Sequence, residues 1–234
     1  MPRTAALIPA AGRGERLGPG APKALRSLGG SPMLVHAVQA VATSRQVDLV
    51  VVAVPDDAVA SVSSLLGDHA FPAEVVVVAG GDSRQDSVAR ALLALPADVD
   101  VVLVHDAARP LVPAELVTTV ATAVRSGHSA VVPGLPVVDT IKRVDDSGVV
   151  ETTVDRSTLR AVQTPQGFTR DVLQRAHAEA DLDAVATDDA GLVERIGLPV
   201  HVVPGHEEAF KVTRPFDLVV AEAVLARRRA AGAL

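Results

Sequence analysis

Apolar residues along this chain fall into short, nearly unbroken runs and not into strict alternation with polar ones. Thr4–Pro9 (TAALIP), Val47–Val54 (VDLVVVAV), Glu74–Ala79 (EVVVVA) and Val99–His105 (VDVVLVH) are such runs, and Ser129–Pro133 (SAVVP) is a further candidate. Their continuous apolar character predicts strands buried on both faces. Between them the helical period predicts helices over Pro32–Thr43, Asp56–Leu66, Arg84–Leu95 and Pro113–Ser126. Ser31-Pro32 offers an N-cap followed by proline at the first helical position. Strand–helix alternation of this kind predicts an α/β fold with a doubly wound, mostly parallel sheet.

The rhythm breaks after Pro136. Val137–Val144, the turn Asp145-Asp146-Ser147-Gly148, and Val149–Val154 read as a hairpin whose strands are polar on one face. Residues 136–165 are therefore expected to form a β-hairpin arm projecting from a single domain that spans residues 1–234. After Thr164-Pro165 the helical rhythm returns, and Pro215–Arg229 is predicted as an amphipathic terminal helix. No repeat, low-complexity linker or second domain is evident, and one catalytic domain is expected.

Composition narrows the possible ligands. The chain is 48% apolar, enough for a sizeable core. No apolar run approaches the roughly 18 residues that span a bilayer, and Met1-Pro2-Arg3-Thr4 leads straight into a strand without a leader pattern. Without a single cysteine there can be no disulfide or thiolate metal site, which fits a reducing, cytoplasmic setting. The formal net charge of −6 and the restriction of aromatic residues to Phe71, Phe168, Phe210 and Phe216 argue against nucleic acid as the main partner. An anionic ligand must instead be held by a local cluster of cations and backbone N–H groups. Arg227-Arg228-Arg229 fits cations in the last turn of the final helix, complementing its dipole.

Such a cluster follows the first strand. In Pro9-Ala10-Ala11-Gly12-Arg13-Gly14-Glu15-Arg16-Leu17-Gly18, the glycines let backbone approach a phosphate, Ala10 and Ala11 keep the space open, and Arg16 and Lys23 add charge. Open α/β sheets bind ligands beyond the carboxyl ends of their strands, where this loop lies. A dinucleotide fingerprint wants glycine or alanine where Leu17 stands and an acidic residue about 20 positions on, where Met33–Ala37 has none. A P-loop wants Gly-Lys followed by Ser or Thr, but Lys23 lies between Pro22 and Ala24.

The loop's order of small residues, Gly-x-Gly-x-Arg and then Pro-Lys resembles the sugar-nucleotidyltransferase superfamily. Gly80-Gly81-Asp82-Ser83-Arg84-Gln85-Asp86-Ser87, His105-Asp106-Ala107-Ala108-Arg109-Pro110, Asp139-Thr140-Ile141-Lys142, Val154-Asp155-Arg156, Gln163-Thr164-Pro165-Gln166 and Lys211-Val212-Thr213 follow in that order. Together they resemble the 2-C-methyl-D-erythritol 4-phosphate cytidylyltransferase family over about Leu7 to Glu222. The His-Asp-Ala-Ala-Arg-Pro run and the arm motifs are the specific part. The resemblance implies a Rossmann-like nucleotidyltransferase fold, CTP and a small polyol phosphate as substrates, and no membrane or nucleic-acid partner. A homodimer joined through the 136–165 arm is also implied.

By that resemblance Arg16, Lys23, Arg156 and Lys211 carry the catalytic charge. Ala10, Ala11, Gly12, Gly14, Gly80, Gly81, Asp82, Ser87 and Ala107 bind the nucleotide. Asp139, Thr140, Arg156, Thr187 and Lys211 hold the acceptor, with Thr140 and Arg156 acting across a dimer interface, and Asp106 holds Mg2+. Some residues have a second role open to them. Asp82 can cap the helix beginning near Arg84, and Thr187-Asp188-Asp189 can cap the helix that follows. His105 is expected to pack or hydrogen-bond, whereas Arg109 has either a ligand phosphate or a carboxylate such as Asp106 as partner. A cytidylyltransferase for another polyol phosphate, such as ribitol 5-phosphate, would share almost every motif. A non-catalytic nucleotide-binding regulator would have no use for cations at the α-phosphate.

Overall fold

The computed structural model describes residues 3–12, 22–180 and 187–232. Strand β1 (Arg3–Pro9) is followed by the short paired strands β2 (Ser27–Leu28) and β3 (Ser31–Pro32), helix α1 (Met33–Ala42) and β4 (Leu49–Val54). Then come α2 (Val59–Gly67), β5 (Glu74–Ala79), α3 (Arg84–Leu93), β6 (Val99–Val104), α4 (Ala114–Arg125) and β7 (Ala130–Pro136). The remainder comprises β8 (Ile141–Val144), β9 (Val150–Val154), β10 (Arg160–Val162), β11 (Gln166–Thr169), α5 (Arg170–Ala178), α6 (Asp189–Arg195), β12 (His201–Pro204) and α7 (Pro215–Ala230).

The Val-rich runs form the middle of one sheet. β1 pairs in parallel with β4 on one side and β6 on the other, and β5 pairs in parallel with β4 at the edge. Beyond β6, β11 runs antiparallel to both β6 and β7, while β12 is parallel to β7 and β10 antiparallel to its end. Successive side chains of a strand point to opposite faces, and here both faces are covered. Ala6, Ile8, Val50, Val52 and Leu103 enter one apolar layer with Leu34 and Val38 of α1, Val62 of α2, and Val117 and Val120 of α4. Ala5, Leu7, Val51, Val102 and Val104 enter the opposite layer with Val88 of α3, Leu173 of α5 and Val193 of α6. Two buried layers are the physical reason the runs show no alternation. The sheet is mostly parallel and doubly covered, as the periodicity predicts.

Several local expectations change. β5 lies at the sheet edge and its residues are exposed or only partly buried, so it is not covered on both faces like its neighbours. Ser31 pairs with Leu28 in β3 and does not cap α1; Pro32 stands before the helix, and the Met33 N–H donates to the Arg26 carbonyl at 2.9 Å. The expected helix over Asp56–Leu66 divides into a 3-10 turn at Asp56–Ala58 and α2 proper. β10, β11 and β12 are too short and too poor in apolar residues for a periodic signal.

β8 and β9 form an antiparallel two-stranded sheet of their own, with Ile141 opposite Val154. Their turn is fixed locally: the Asp145 carboxylate accepts from the Ser147 and Val149 N–H groups, and Gly148 takes the left-handed conformation at φ 86°. A third apolar cluster joins α7 to the β2–β3 pair and the segment after β6, through Leu28, Met33, Leu111, Val212, Ala221 and Leu225. It anchors the stretch that carries Lys211.

β11 owes its place between β6 and β7 to Gly167. A Cβ there would lie 2.6 Å from Val120 Cγ1 and 2.9 Å from Val124 Cγ2, so α4 packs directly on backbone. Gly167→Ala is expected to destabilise the fold by about 1–3 kcal/mol through overpacking. Each kcal/mol should lower Tm by about 2–4 °C. Thermal unfolding of the variant checks this, and an unchanged Tm would show that α4 can move away freely.

Candidate active site

At the carboxyl ends of the parallel strands lies a cavity of about 250 Å³. Ala10, Ala11 and Gly12 follow β1, and Lys23 opens the 3-10 turn Lys23–Leu25. Gly81, Asp82, Ser83, Arg84 and Ser87 come from the turn after β5 and the first turn of α3. Asp106, Ala107 and Ala108 follow β6, and Lys211 reaches in from the segment before α7. Residues up to two hundred positions apart therefore share one cleft, at the place where open α/β sheets take their ligands.

Not every residue named from the sequence meets there. Gly80 sits one position behind the lining, its carbonyl accepting from Arg90 Nη1 at 2.7 Å; a Cβ on it would lie 2.9 Å from Ser87 Oγ. Gly14 and Arg16 lie outside the described residues, as does Glu15. Asp139 and Thr140 are exposed just before β8. Arg156 is exposed just after β9, and its Nη1 donates to the Val138 carbonyl. Thr187 is exposed before α6. None of these last four lines the cavity of its own chain.

The turn after β5 is built by its hydroxyls. Ser83, not Asp82, caps α3: its Oγ accepts from the Asp86 N–H at 3.0 Å, and Asp86 answers by accepting from the Ser83 N–H at 3.2 Å. Ser87 Oγ accepts from the Gly81 N–H at 3.1 Å and donates to the Ser83 carbonyl at 2.9 Å. The result is a tight backbone turn bordering the cavity. Asp188 caps α6 by accepting from the Gly191 N–H at 3.0 Å.

Asp106 is the electrostatic centre of the cleft. Its side chain is 11% exposed; Lys211 Nζ donates to Oδ2 at 2.7 Å and Arg84 Nε to Oδ1 at 3.2 Å. Burial works to raise its pKa, but the charges of Arg84 and Lys211 overcome that and hold the carboxyl well below the usual range. Arg84 also donates through Nη1 to Asp189, at 2.7 Å, and Asp189 accepts in turn from His177 Nε2 at 2.9 Å. Burial opposes the charge on Asp189 too, yet the His177 hydrogen bond and Arg84 keep its pKa low. Arg84, Asp189 and His177 are the parts of this site that motif reasoning does not single out. The available signals were Arg84 inside the Gly80–Ser87 run and the adjacent acids at Asp188-Asp189.

Behind Asp106 the backbone is fixed by a neutral chain. The Asp106 N–H donates to Thr164 Oγ1 at 3.0 Å, which lies 3.1 Å from His105 Nδ1, and His105 Nε2 lies 3.1 Å from the Arg109 carbonyl. A carbonyl only accepts, so Nε2 carries the proton and Nδ1 accepts from the Thr164 hydroxyl. His105 thus packs and hydrogen-bonds, as expected. Arg109 hydrogen-bonds to no carboxylate: its guanidinium donates to the carbonyls of Ala209, at 2.6 Å, and Val162, at 3.3 Å, while its charge still acts on Asp106. It ties the segment before Lys211 to the segment before the cis Thr164–Pro165 bond.

Cations set against the ionised Asp106 carboxylate, beside a tight backbone turn, suit the transfer of a phosphate-linked nucleoside group, and the class this defines is the nucleotidyltransferases. The family model for 2-C-methyl-D-erythritol 4-phosphate cytidylyltransferase matches residues 4–227, and the chain belongs to that family. Its reaction is cytidylyl transfer from CTP to 2-C-methyl-D-erythritol 4-phosphate, in the formation of isoprenoid precursors.

Relatives of the same name support this over nearly the whole length. The one from Streptomyces avermitilis is 63% identical, covering 97% of this chain and 93% of its own. That from Rhodococcus jostii is 55% identical, covering 94% of each. Among solved structures, the cytidylyltransferase of Thermus thermophilus is 40% identical with a TM-score of 0.77, covering 96% of this chain and 99% of its own. The 4-diphosphocytidyl-2C-methyl-D-erythritol synthase of Anaerococcus prevotii is 28% identical with a TM-score of 0.83 over the same shares.

The buried histidine has a consequence for acid stability. Burial lowers the His105 pKa from 6.5 to about 4, so the unfolded chain takes up its proton first. Its contribution is complete above pH 6.5 and is lost as pH falls toward 4. The depressed carboxyls of Asp106 and Asp189 add a second loss, which begins only below 3.8. Urea denaturation across this range should show unfolding free energy declining already between pH 6.5 and 4; a flat profile there would contradict a neutral buried His105.

Proposed function

We propose that the cleft binds CTP with cytosine against the Gly80–Ser87 turn and the triphosphate between Lys23 and Asp106. Ala10, Ala11, Gly12 and Gly14 leave room for the phosphates, Gly80, Gly81, Asp82 and Ser87 form the base end, and Ala107 borders the ribose region. The observation that carries this is the convergence of Lys23, Asp106 and Lys211 on one cavity beside that turn. The acceptor phosphate, with a second pKa near ~6, is largely a dianion at neutral pH and needs little help from a base. One of its oxygens forms the new bond to the α-phosphorus of CTP, the bond from α-phosphorus to the β-phosphate oxygen breaks, and pyrophosphate leaves. What remains for the protein is alignment of two anions and stabilisation of the charge between them. Arg16 and Lys23 serve that charge, and Lys211 with Arg156 holds the acceptor phosphate in line.

Asp106 suits Mg2+, which commonly takes one or two carboxylates together with substrate phosphates. It stays ionised, borders the cavity, and each of its oxygens retains a lone pair beyond the one used by Arg84 or Lys211. No group of three or more potential ligand side chains occurs among the described residues, so the substrate would have to supply the other oxygens. When bound there, the ion neutralises the triphosphate and the leaving pyrophosphate.

Asp139, Thr140, Arg156 and Thr187 complete the acceptor site in this proposal. The first three sit at the β8–β9 hairpin and do not line their own chain's cavity, which favours their action in a homodimer on the neighbouring copy. The enzyme is proposed to work in the cytoplasm on small molecules, without a nucleic-acid or membrane partner. No helix among the described residues is long and apolar enough to cross a membrane.

Four measurements test these assignments. Lys23→Ala should lower kcat roughly 10²–10³-fold with a much smaller rise in the KM for CTP; the reverse split would make Lys23 a ground-state binder. Pyrophosphate release with CTP and magnesium should be faster with methylerythritol phosphate than with ribitol 5-phosphate, and preference for the latter would move the acceptor. Turnover with ATP or UTP but not CTP would remove cytosine from the Gly80–Ser87 turn. Finally, Arg156→Ala and Lys23→Ala chains, each inactive alone, should regain activity in verified mixed dimers, whereas no recovery would confine the hairpin to its own chain.

A further inference from the structure

We propose that Arg84 is a positioning residue for the cytidylyl-transfer site and that the buried pair Asp189–His177 holds it in place. The inference rests on Asp106 belonging to the nucleotide site. Arg84 stands in the first turn of α3, where the helix dipole disfavours a cation. It is kept there by two carboxylates: Nε donates to Asp106 at 3.2 Å and Nη1 to Asp189 at 2.7 Å. A planar guanidinium engaged along two directions cannot turn without losing one of them. Lys211 takes only one oxygen of Asp106, and Arg84 fixes the other, so the plane of the carboxylate is set by the pair.

Asp189 is itself held on every side. Its side chain is 1% exposed, and its second oxygen accepts from His177 Nε2 on α5. A carboxylate only accepts, so His177 donates through Nε2. The start of α6 is locked by Gln166 of β11, whose Nε2 donates to Asp188 at 2.7 Å while its Oε1 accepts from the Ala190 N–H at 3.2 Å. A buried cluster of this kind rarely adds net stability over apolar packing. Its distinctive effect is to carry the rigidity of α5, α6 and β11 to a carboxylate at the mouth of the cleft.

The test is a double-mutant cycle on the full-length enzyme with steady-state kinetics in CTP and methylerythritol phosphate. Asp189→Asn should lower kcat about 10–100-fold, the scale typical of outer-shell partners, with little change in the KM for CTP. In an Arg84→Met background the same change should cost almost nothing more, because its effect is transmitted through Arg84. His177→Phe should reproduce part of the loss, and His177→Gln, which keeps an N–H donor, should recover most of it at similar Tm. If Asp189→Asn does not fold, the two His177 variants decide: equal activity of Phe and Gln per folded molecule overturns the proposal. Multiplicative effects of Asp189→Asn and Arg84→Met also overturn it. Asp106→Asn is run beside them; full activity there would remove Asp106 from the site, whereas a loss there with an inert Asp189→Asn sinks only the positioning role.

Discussion

An ionised carboxylate held between two cations at the end of β6 is the constraint around which the cleft is organised. Lys211 and Arg84 offset the cost of keeping Asp106 charged at 11% side-chain exposure. Each cation has a different origin. Arg84 belongs to the helix that follows the turn after β5, so its contact with Asp106 ties the β5 and β6 loops together. Lys211 belongs to a segment pinned by Val212 in the α7 cluster and by the Val212 N–H donating to the Ala108 carbonyl at 2.8 Å. The pairing thus fixes where three distant segments meet.

The polar groups behind Asp106 hold backbone segments in place. The Thr164–His105–Arg109 chain is neutral at its centre and buried, and it holds the Asp106 backbone against the segments on either side. Arg109 joins two loops by donating to the carbonyls of Ala209 and Val162. The two apolar layers do the coarser work. They align β1, β4, β5 and β6 so that their carboxyl ends open on the same side, and side-chain chemistry need only be placed on the turns that follow.

Much of this was legible in the sequence, and the losses have physical causes. Val-rich strands announce themselves because burial on both faces forces unbroken apolar runs. β11 does not, since its one large apolar residue, Phe168, is flanked by glycine and polar positions that meet neighbours only in the folded sheet. Ser31-Pro32 carries the local signal of a helix cap, but pairing with Leu28 claims the serine for a strand. For the site, the runs that directly follow β1, β5 and β6 supply much of the cleft lining, whereas Asp139, Thr140 and Arg156 at the β8–β9 hairpin do not line it. Arg84–Asp189 joins positions 105 apart, and His177 has no motif of its own, so neither could be paired before the fold was known.

The most direct test of the central claim is a crystal structure of the enzyme with CTP and magnesium in the absence of acceptor. It should show cytosine against the Gly80–Ser87 turn, the phosphates between Lys23 and Asp106, and Lys211 no longer hydrogen-bonded to Asp106 alone. Cytidine bound elsewhere, with the Asp106–Lys211–Arg84 arrangement untouched, would contradict it.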